Sequence, residues 1–240
     1  MSGEADPRFQ AERPRDIREA KPWHRYAHLT RMLQARIGAL SAELLPPVAG
    51  RLLDYGCADV PYRHLFAADA DYVAADLAGN PHATVHLNPD GTVPEPDQSF
   101  DAVLSTQVLE HVADPGVYLA EAYRVLRPGG RMLLSTHGTF VYHPDPDDYW
   151  RWTSAGLQRA VRKAGFQVVR FEGIIGLIPT GIQLVQDALW WKLPRLVRTP
   201  FLLVMQALVR LTDRLHHQTA RDRDGQVYAL IAEKPAAAAR

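Results

Sequence analysis

An apolar strand that stops at a small-residue turn constrains this chain more than any other feature: Leu52-Leu53-Asp54-Tyr55-Gly56-Cys57-Ala58-Asp59. Small residues at such a turn let backbone N–H groups approach a ligand closely. The next apolar run, Tyr72-Val73-Ala74-Ala75, ends in Asp76. A carboxylate about 20 residues beyond the turn, at the tip of the neighbouring strand, is placed to bind a ribose diol. Together they predict a nucleoside-cofactor site. A dinucleotide is disfavoured, because Gly56 is followed by Ala58 and Val60-Pro61-Tyr62 with no later glycine for tight helix packing.

The chain alternates from there on. Strands are expected at 52–55, 72–75, 85–87, 101–106, 131–136, 166–171 and 226–232, and helices at 62–68, 153–164 and from Asp114-Pro115 to the stop at Pro128-Gly129-Gly130. This order predicts an α/β fold with a doubly wound, mostly parallel sheet. Before it, Leu29, Leu33, Ile37, Leu40 and Leu44 recur at helical spacing, which predicts an amphipathic N-terminal helix over 24–45, ended by Pro46-Pro47. Residues 173–215 break the alternation, and two helices at 181–192 and 200–216 are expected there as an inserted helical hairpin.

Lys+Arg and Asp+Glu both number 27, so no nucleic-acid partner is expected. The single Cys57 rules out an intramolecular disulfide and suits a cytoplasmic protein. Residues 1–22 are charged and lack a signal-peptide pattern; they are expected to be a disordered leader, as residues 235–240 are a disordered tail, leaving 23–234 as one domain. No apolar run reaches the roughly 18 residues of a spanning helix.

Three segments resemble the class I S-adenosylmethionine-dependent methyltransferases: 53–59 with Asp76 and Asp90-Gly91, then 100–112, which ends Gln107-Val108-Leu109-Glu110-His111-Val112, and Arg124 to Gly130. The resemblance covers roughly 50–172 and resumes at 226–234. It implies a Rossmann-like seven-stranded sheet binding S-adenosyl-L-methionine. The turn at Asp54, Gly56, Cys57 and Ala58 is implied to lie against the methionine portion. Asp76, with Leu77 beside it, is implied to hold the ribose, Asp90 and Gly91 to face the adenine, and Gln107 to lie beside the cofactor. The family's turn usually reads Gly-x-Gly-x-Gly; here Ala58 and Val60 replace the later glycines. Ala58 fits easily at negative φ, whereas Val60 is expected to resist a left-handed conformation.

Methyl transfer to oxygen needs in-line positioning and removal of a proton, for which histidine is suited. His111, His137 and His143 follow strands at their expected carboxyl ends, where ligands bind. His137 is the first candidate for general base, with His111 and Tyr149 as further catalytic candidates. A structural or cofactor-side role is the alternative for His111, since Leu-Glu-His-Val recurs in the family whatever the substrate. His143, Asp145, Asp147, Asp148 and Trp152 form an acidic-aromatic stretch suited to polyhydroxylated substrates, or to a Mg²⁺ ion. Tyr26, at the start of the first helix, is a candidate lid residue.

The expected activity is O-methylation of a sugar or other polyhydroxylated small molecule, including an oligosaccharide such as a methylated mannose polysaccharide precursor. A lipid or quinone acceptor is the first alternative. A non-catalytic interaction protein retaining the fold, motivated by Ala58 and Val60, is the second. For the insert, substrate-site cover with homodimer contact is favoured over a membrane-surface role, because Asp187, Asp213 and the neutral overall charge oppose the latter.

Overall fold

Strand and helix alternate along the chain, and the residues that make the central strands are buried on both faces. In the computed structural model, which describes residues 21, 23–44 and 50–236, the expected leader (Lys21 apart), Pro46-Pro47 and 237–240 lie outside the described part. Seven strands form one sheet: β1 (Arg51–Tyr55), β2 (Asp71–Asp76), β3 (Val85–His86), β4 (Phe100–Thr106), β5 (Leu126–His137), β6 (Gln167–Ile174) and β7 (Val227–Glu233). Their order is β3-β2-β1-β4-β5-β7-β6. The first five are parallel, and β7 runs antiparallel between β5 and β6. Strand order reverses between β1 and β4, and such a switch point opens a crevice at the carboxyl ends.

Successive strand residues face opposite sides of a sheet. Leu52, Leu104 and Leu133 accordingly pack with Leu33, Ile37 and Leu40 of helix α1 (Ala27–Ser41), while Leu53, Val103 and Leu134 pack on the other face. That other face is covered by α2 (Pro115–Val125) and α3 (Ser154–Lys163). Asp114 caps α2, its Oδ1 accepting from Gly116 N at 2.8 Å and Val117 N at 3.2 Å. Thr153 caps α3 through Gly156 N at 3.0 Å.

Three boundaries differ from expectation. The helix expected over 62–68 is only a 3₁₀ turn, Arg63–Leu65, because the Arg63 guanidinium takes up the carbonyls of Phe66, Ala67 and Ala68 and closes the chain into a loop. Strand β5 starts before its expected position, since Gly129 N donates to Lys234 O and Lys234 N to Gly130 O, pairing the proline-glycine bend with β7. The insert's helices begin earlier, as α4 (Leu177–Trp190) and α5 (Arg195–Asp213), and a short α6 (Gln218–Asp224) follows. Among the described residues, no helix is long and apolar enough to cross a membrane.

Candidate active site

The end of β1 is clamped to β2: Gly56 N and Cys57 N both donate to Ala75 O, at 2.8 and 3.1 Å. Gly56 has φ +85°, and a Cβ there would lie 2.5 Å from Val108 Cγ2. Only glycine meets both conditions. Ala58 and Val60 also stand in the left-handed region, at φ 48° and 55°. The expectation that Val60 avoids it is therefore corrected. Holding a β-branched residue there costs about 1–3 kcal/mol, and a bonded turn supports it. Val60 N donates to Cys57 O at 2.8 Å, Ala58 N to Asp76 Oδ2 at 2.8 Å, and Asn80 Nδ2 ties Asp76 Oδ2 to Ala58 O, both at 2.7 Å. The loop thus holds two non-glycine residues at positive φ.

A cavity of about 1190 Å³ opens at these strand ends. Single-ligand pockets hold about 300–1,000 Å³, so there is room for two reactants. Gly56, Cys57, Ala58, Asp76, Leu77, Asp90, Gly91 and Gln107 all line it. Asp54 is not among the lining residues: it is buried, accepts a hydrogen bond from the Tyr72 hydroxyl, and has its pKa pushed up to about 7 by desolvation. Its role is to brace β1 against β2. Gln107 has φ 57° and is fixed by two bonds to Ser135, from its backbone N at 2.8 Å and its Nε2 at 2.9 Å. Its Oε1 is buried without a partner. An unmatched acceptor costs free energy until it meets a donor, so it suits an ammonium or hydroxyl of a bound ligand.

Some lining residues gave no clear signal in the sequence. Tyr118 stacks on Tyr55 at 4.1 Å and 15°, and its hydroxyl donates to Tyr55 O at 2.9 Å. The Tyr55 hydroxyl in turn donates to Gly91 O at 2.5 Å, fixing the Asp90-Gly91 loop to the floor. Tyr118 sits on the buried face of α2 with Leu119 and Ala122, a spacing that marks core alone. Asn80 could have been suspected only from its nearness to Asp76.

Of the catalytic candidates, His111 and Tyr149 line the cavity and His137 does not. The His137 ring stacks on Phe140 at 4.1 Å, its Nε2 lies 3.4 Å from Glu110 Oε1, and burial holds its pKa well below the usual range. It is buried away from the cavity, one face of its ring lying against Phe140. His111 is instead anchored by Nδ1 to the Asp147 carbonyl at 2.5 Å. A carbonyl only accepts, so Nδ1 carries the proton and Nε2 the basic lone pair. Tyr149 is positioned by its backbone N, which donates to Glu110 O at 2.8 Å. Glu110 itself is buried, with its pKa raised to about 7 by desolvation.

The acidic-aromatic stretch divides. Asp145 and Asp147 line the cavity. Asp148 does not: its two oxygens each take an Arg151 nitrogen at 2.6 Å, and the pair holds its carboxyl far below the usual range. His143 lies against Val141 O at 3.1 Å and Asp148 Oδ2 at 3.3 Å, and Trp152 packs into the core. Tyr26 is also away from the cavity, its hydroxyl donating to Asp187 Oδ2 at 3.2 Å and its ring against Phe140 at 5.3 Å. These four serve the scaffold. Mg²⁺ does not fit the donors: among the described residues the clustered ligands are Glu110, His137 and His143, two imidazoles to one carboxylate, where Mg²⁺ takes oxygen.

Comparison with known proteins agrees with this geometry. A methyltransferase-domain family model matches residues 24–170. A probable S-adenosylmethionine-dependent methyltransferase of Mycolicibacterium smegmatis is 33% identical over 146 residues, which are 57% of this chain and 52% of that protein. A ubiquinone biosynthesis O-methyltransferase of Ruegeria pomeroyi is 39% identical over 105 residues, 38% of this chain and 42% of that one. The chain thus spans about half the length of these curated relatives. Among solved structures, a putative methyltransferase from Bacillus halodurans superposes with TM-score 0.54 at 16% identity, covering 84% of this chain and 99% of that one. The Asp76 carboxylate and the Gly56 turn meet on one crevice of this fold, a methyltransferase-domain model covers more than half of the sequence, and the chain belongs to the class I S-adenosylmethionine-dependent methyltransferases.

Proposed function

We propose that this protein transfers a methyl group from S-adenosyl-L-methionine to a hydroxyl of a sugar or other polyhydroxylated small molecule. One observation carries the reading: the cofactor-side residues Gly56, Asp76 and Gln107 line the same cavity as His111, Asp145, Asp147 and Tyr149. Bound S-adenosylmethionine supplies an electrophilic methyl on a sulfonium. The Gly56 turn lets the backbone approach it, Asp76 suits its ribose hydroxyls, and Gln107 Oε1 suits its ammonium. Asp145 and Asp147 accept from acceptor hydroxyls, and Tyr149 covers the apolar ring face. With the cofactor bound, His111 Nε2 would take the proton of the reacting hydroxyl as its oxygen gains the methyl and the S–CH₃ bond breaks to leave neutral S-adenosylhomocysteine, and the Asp147 carbonyl would stabilise the imidazolium through Nδ1–H.

A lipid or quinone-type acceptor, the latter methylated at a phenolic hydroxyl of its precursor or reduced form, is the second reading. It is favoured by relatives named as ubiquinone biosynthesis O-methyltransferases and by Pro61, Leu87, Val108, Val112 and Val117 in the cavity wall. The test is transfer of labelled methyl from S-adenosylmethionine to a panel of sugars, phenols and lipids. Labelled carbohydrate supports the first reading, labelled phenol or lipid alone the second, and no product with any of them rejects both.

A further inference from the structure

Helices α4 and α5 invert the usual distribution of polarity. Their inward faces carry Thr180, Gln183, Gln186, Asp187, Gln206 and Asp213, all buried. The cause lies in α1, which starts after Tyr26 without a side-chain cap, so its first donors need partners elsewhere. Gln206 Oε1 accepts from His28 N at 3.1 Å, and Nε2 of Gln183, Gln186 and Gln206 all donate to Arg25 O at 3.1, 3.0 and 2.8 Å. Both helices thus turn their polar faces to one carbonyl. Their opposite faces point away from the domain, and these are apolar: Val185 and Leu189 on α4, with Val204, Leu208 and Leu211 on α5 and Leu215 just past its end, all exposed.

The exposed charge around this stripe has one sign. Asp187 and Asp213 are the only acids between 177 and 217, and both are buried. Asp187 faces Arg25 at 3.9 Å, and Asp213 faces His28 at 3.1 Å and Arg221 at 3.3 Å. The acids that argued in the sequence against a membrane surface do not reach solvent, whereas Lys192, Arg195, Arg210 and Arg214 do. Beside the stripe, Arg31 of α1 joins Arg210 and Arg214 around a groove of about 530 Å³ that is also lined by Leu203, Gln206, Ala207 and Leu211. Three guanidiniums beside the exposed Leu203 and Leu211 match a phosphate carried on hydrocarbon.

We propose that the α4–α5 hairpin seats this domain on an anionic lipid surface, with headgroup phosphates in the Arg31–Arg210–Arg214 groove and the outward stripe at the acyl boundary. A second copy is the poorer occupant. Two-fold pairing would set an all-basic surface against itself. The proposal does not depend on which acceptor the active site uses.

Flotation of the full chain with vesicles of phosphatidylglycerol and of phosphatidylcholine tests it. Binding to the anionic vesicles is expected at low salt, falling as ionic strength rises, unaffected by millimolar inorganic phosphate, and at least tenfold weaker on phosphatidylcholine. The double variant R210Q/R214Q is expected to bind about 25-fold more weakly, since each cation at such a surface contributes about fivefold, and Leu208→Ser with Leu211→Ser is expected to bind at least tenfold more weakly. Unchanged thermal midpoints and S-adenosylhomocysteine affinity show that the variants are folded. Absent binding, equal binding by wild type and folded variants, or a dimer in sedimentation that Leu208→Ser with Leu211→Ser splits, would overturn the proposal.

Discussion

The strand-tip crevice and the α4–α5 hairpin solve opposite packing problems. The crevice stands on an apolar interior and gathers polar groups at its open edge: Asp76, Gln107 and His111 line it above Leu53, Val103 and Leu134, which are fully buried. The hairpin has its hydrogen-bonding groups inside and most of its leucines, Leu202 excepted, at least partly outside. Water explains the first arrangement, because polar groups gather where a hydrated ligand enters. It does not explain the second. An exposed apolar stripe of this kind marks an interaction surface. Polarity alone therefore does not distinguish inside from outside; its partner does.

The comparison can be broken most sharply at Gly56. Gly56→Val should abolish S-adenosylhomocysteine binding in calorimetry, a loss of at least about 3 kcal/mol, because its side chain enters the space of Val108 at positive φ. Adding Val108→Ala to Gly56→Ala should restore part of the affinity. Next, His111→Ala should lower kcat by about 10²–10⁴-fold while leaving S-adenosylhomocysteine affinity within a few-fold; equal turnover would remove His111 as base. His137→Ala should lower stability and leave kcat within about tenfold.

Inside the hairpin, Gln206→Leu should cost about 2–3 kcal/mol in urea unfolding, since it strands His28 N and the amide oxygens of Gln183 and Gln186. An ordinary helical pair would be stabilised by that apolar change. Glu110 gives a pH-dependent effect of comparable size. Its folded pKa of about 7 lies above the unfolded value of 4.5, so between these values the folded chain holds a proton that the unfolded chain has released. Stability is fully present below about pH 4.5 and falls as pH rises toward 7, at up to about 1.4 kcal/mol per pH unit. Glu110→Gln should remove that slope in paired unfolding curves. The smallest effect is expected for Leu208→Gln, within about 0.5 kcal/mol, because a side chain facing water loses little by becoming polar.

Much of the crevice was legible in the sequence because its signals are local. Gly56, Asp76 and Gln107 each end a strand, and the strands are recognisable by their runs of buried residues. What escaped depends on tertiary contact. Val60 accepts a left-handed turn because Asp76 and Asn80 tie the loop, and nothing at position 60 announces that. His137 and His111 both follow strands, yet one is buried against Phe140 and the Asp147 carbonyl orients the other. Asp148, Trp152 and Tyr26 look like ligand groups by type but are consumed by Arg151, the core and Asp187. The hairpin misled for the same reason: Asp187 and Asp213 count as surface charge until their partners Arg25 and His28 are seen.

Calorimetric titration of the full chain with S-adenosylhomocysteine, alongside Gly56→Val and Asp76→Asn, tests most directly whether the strand tips grip an adenosyl group. One site per chain is expected, weakened at least tenfold by Asp76→Asn and lost in Gly56→Val. No heat and no thermal shift up to millimolar ligand, or one affinity shared by all three proteins, would contradict it.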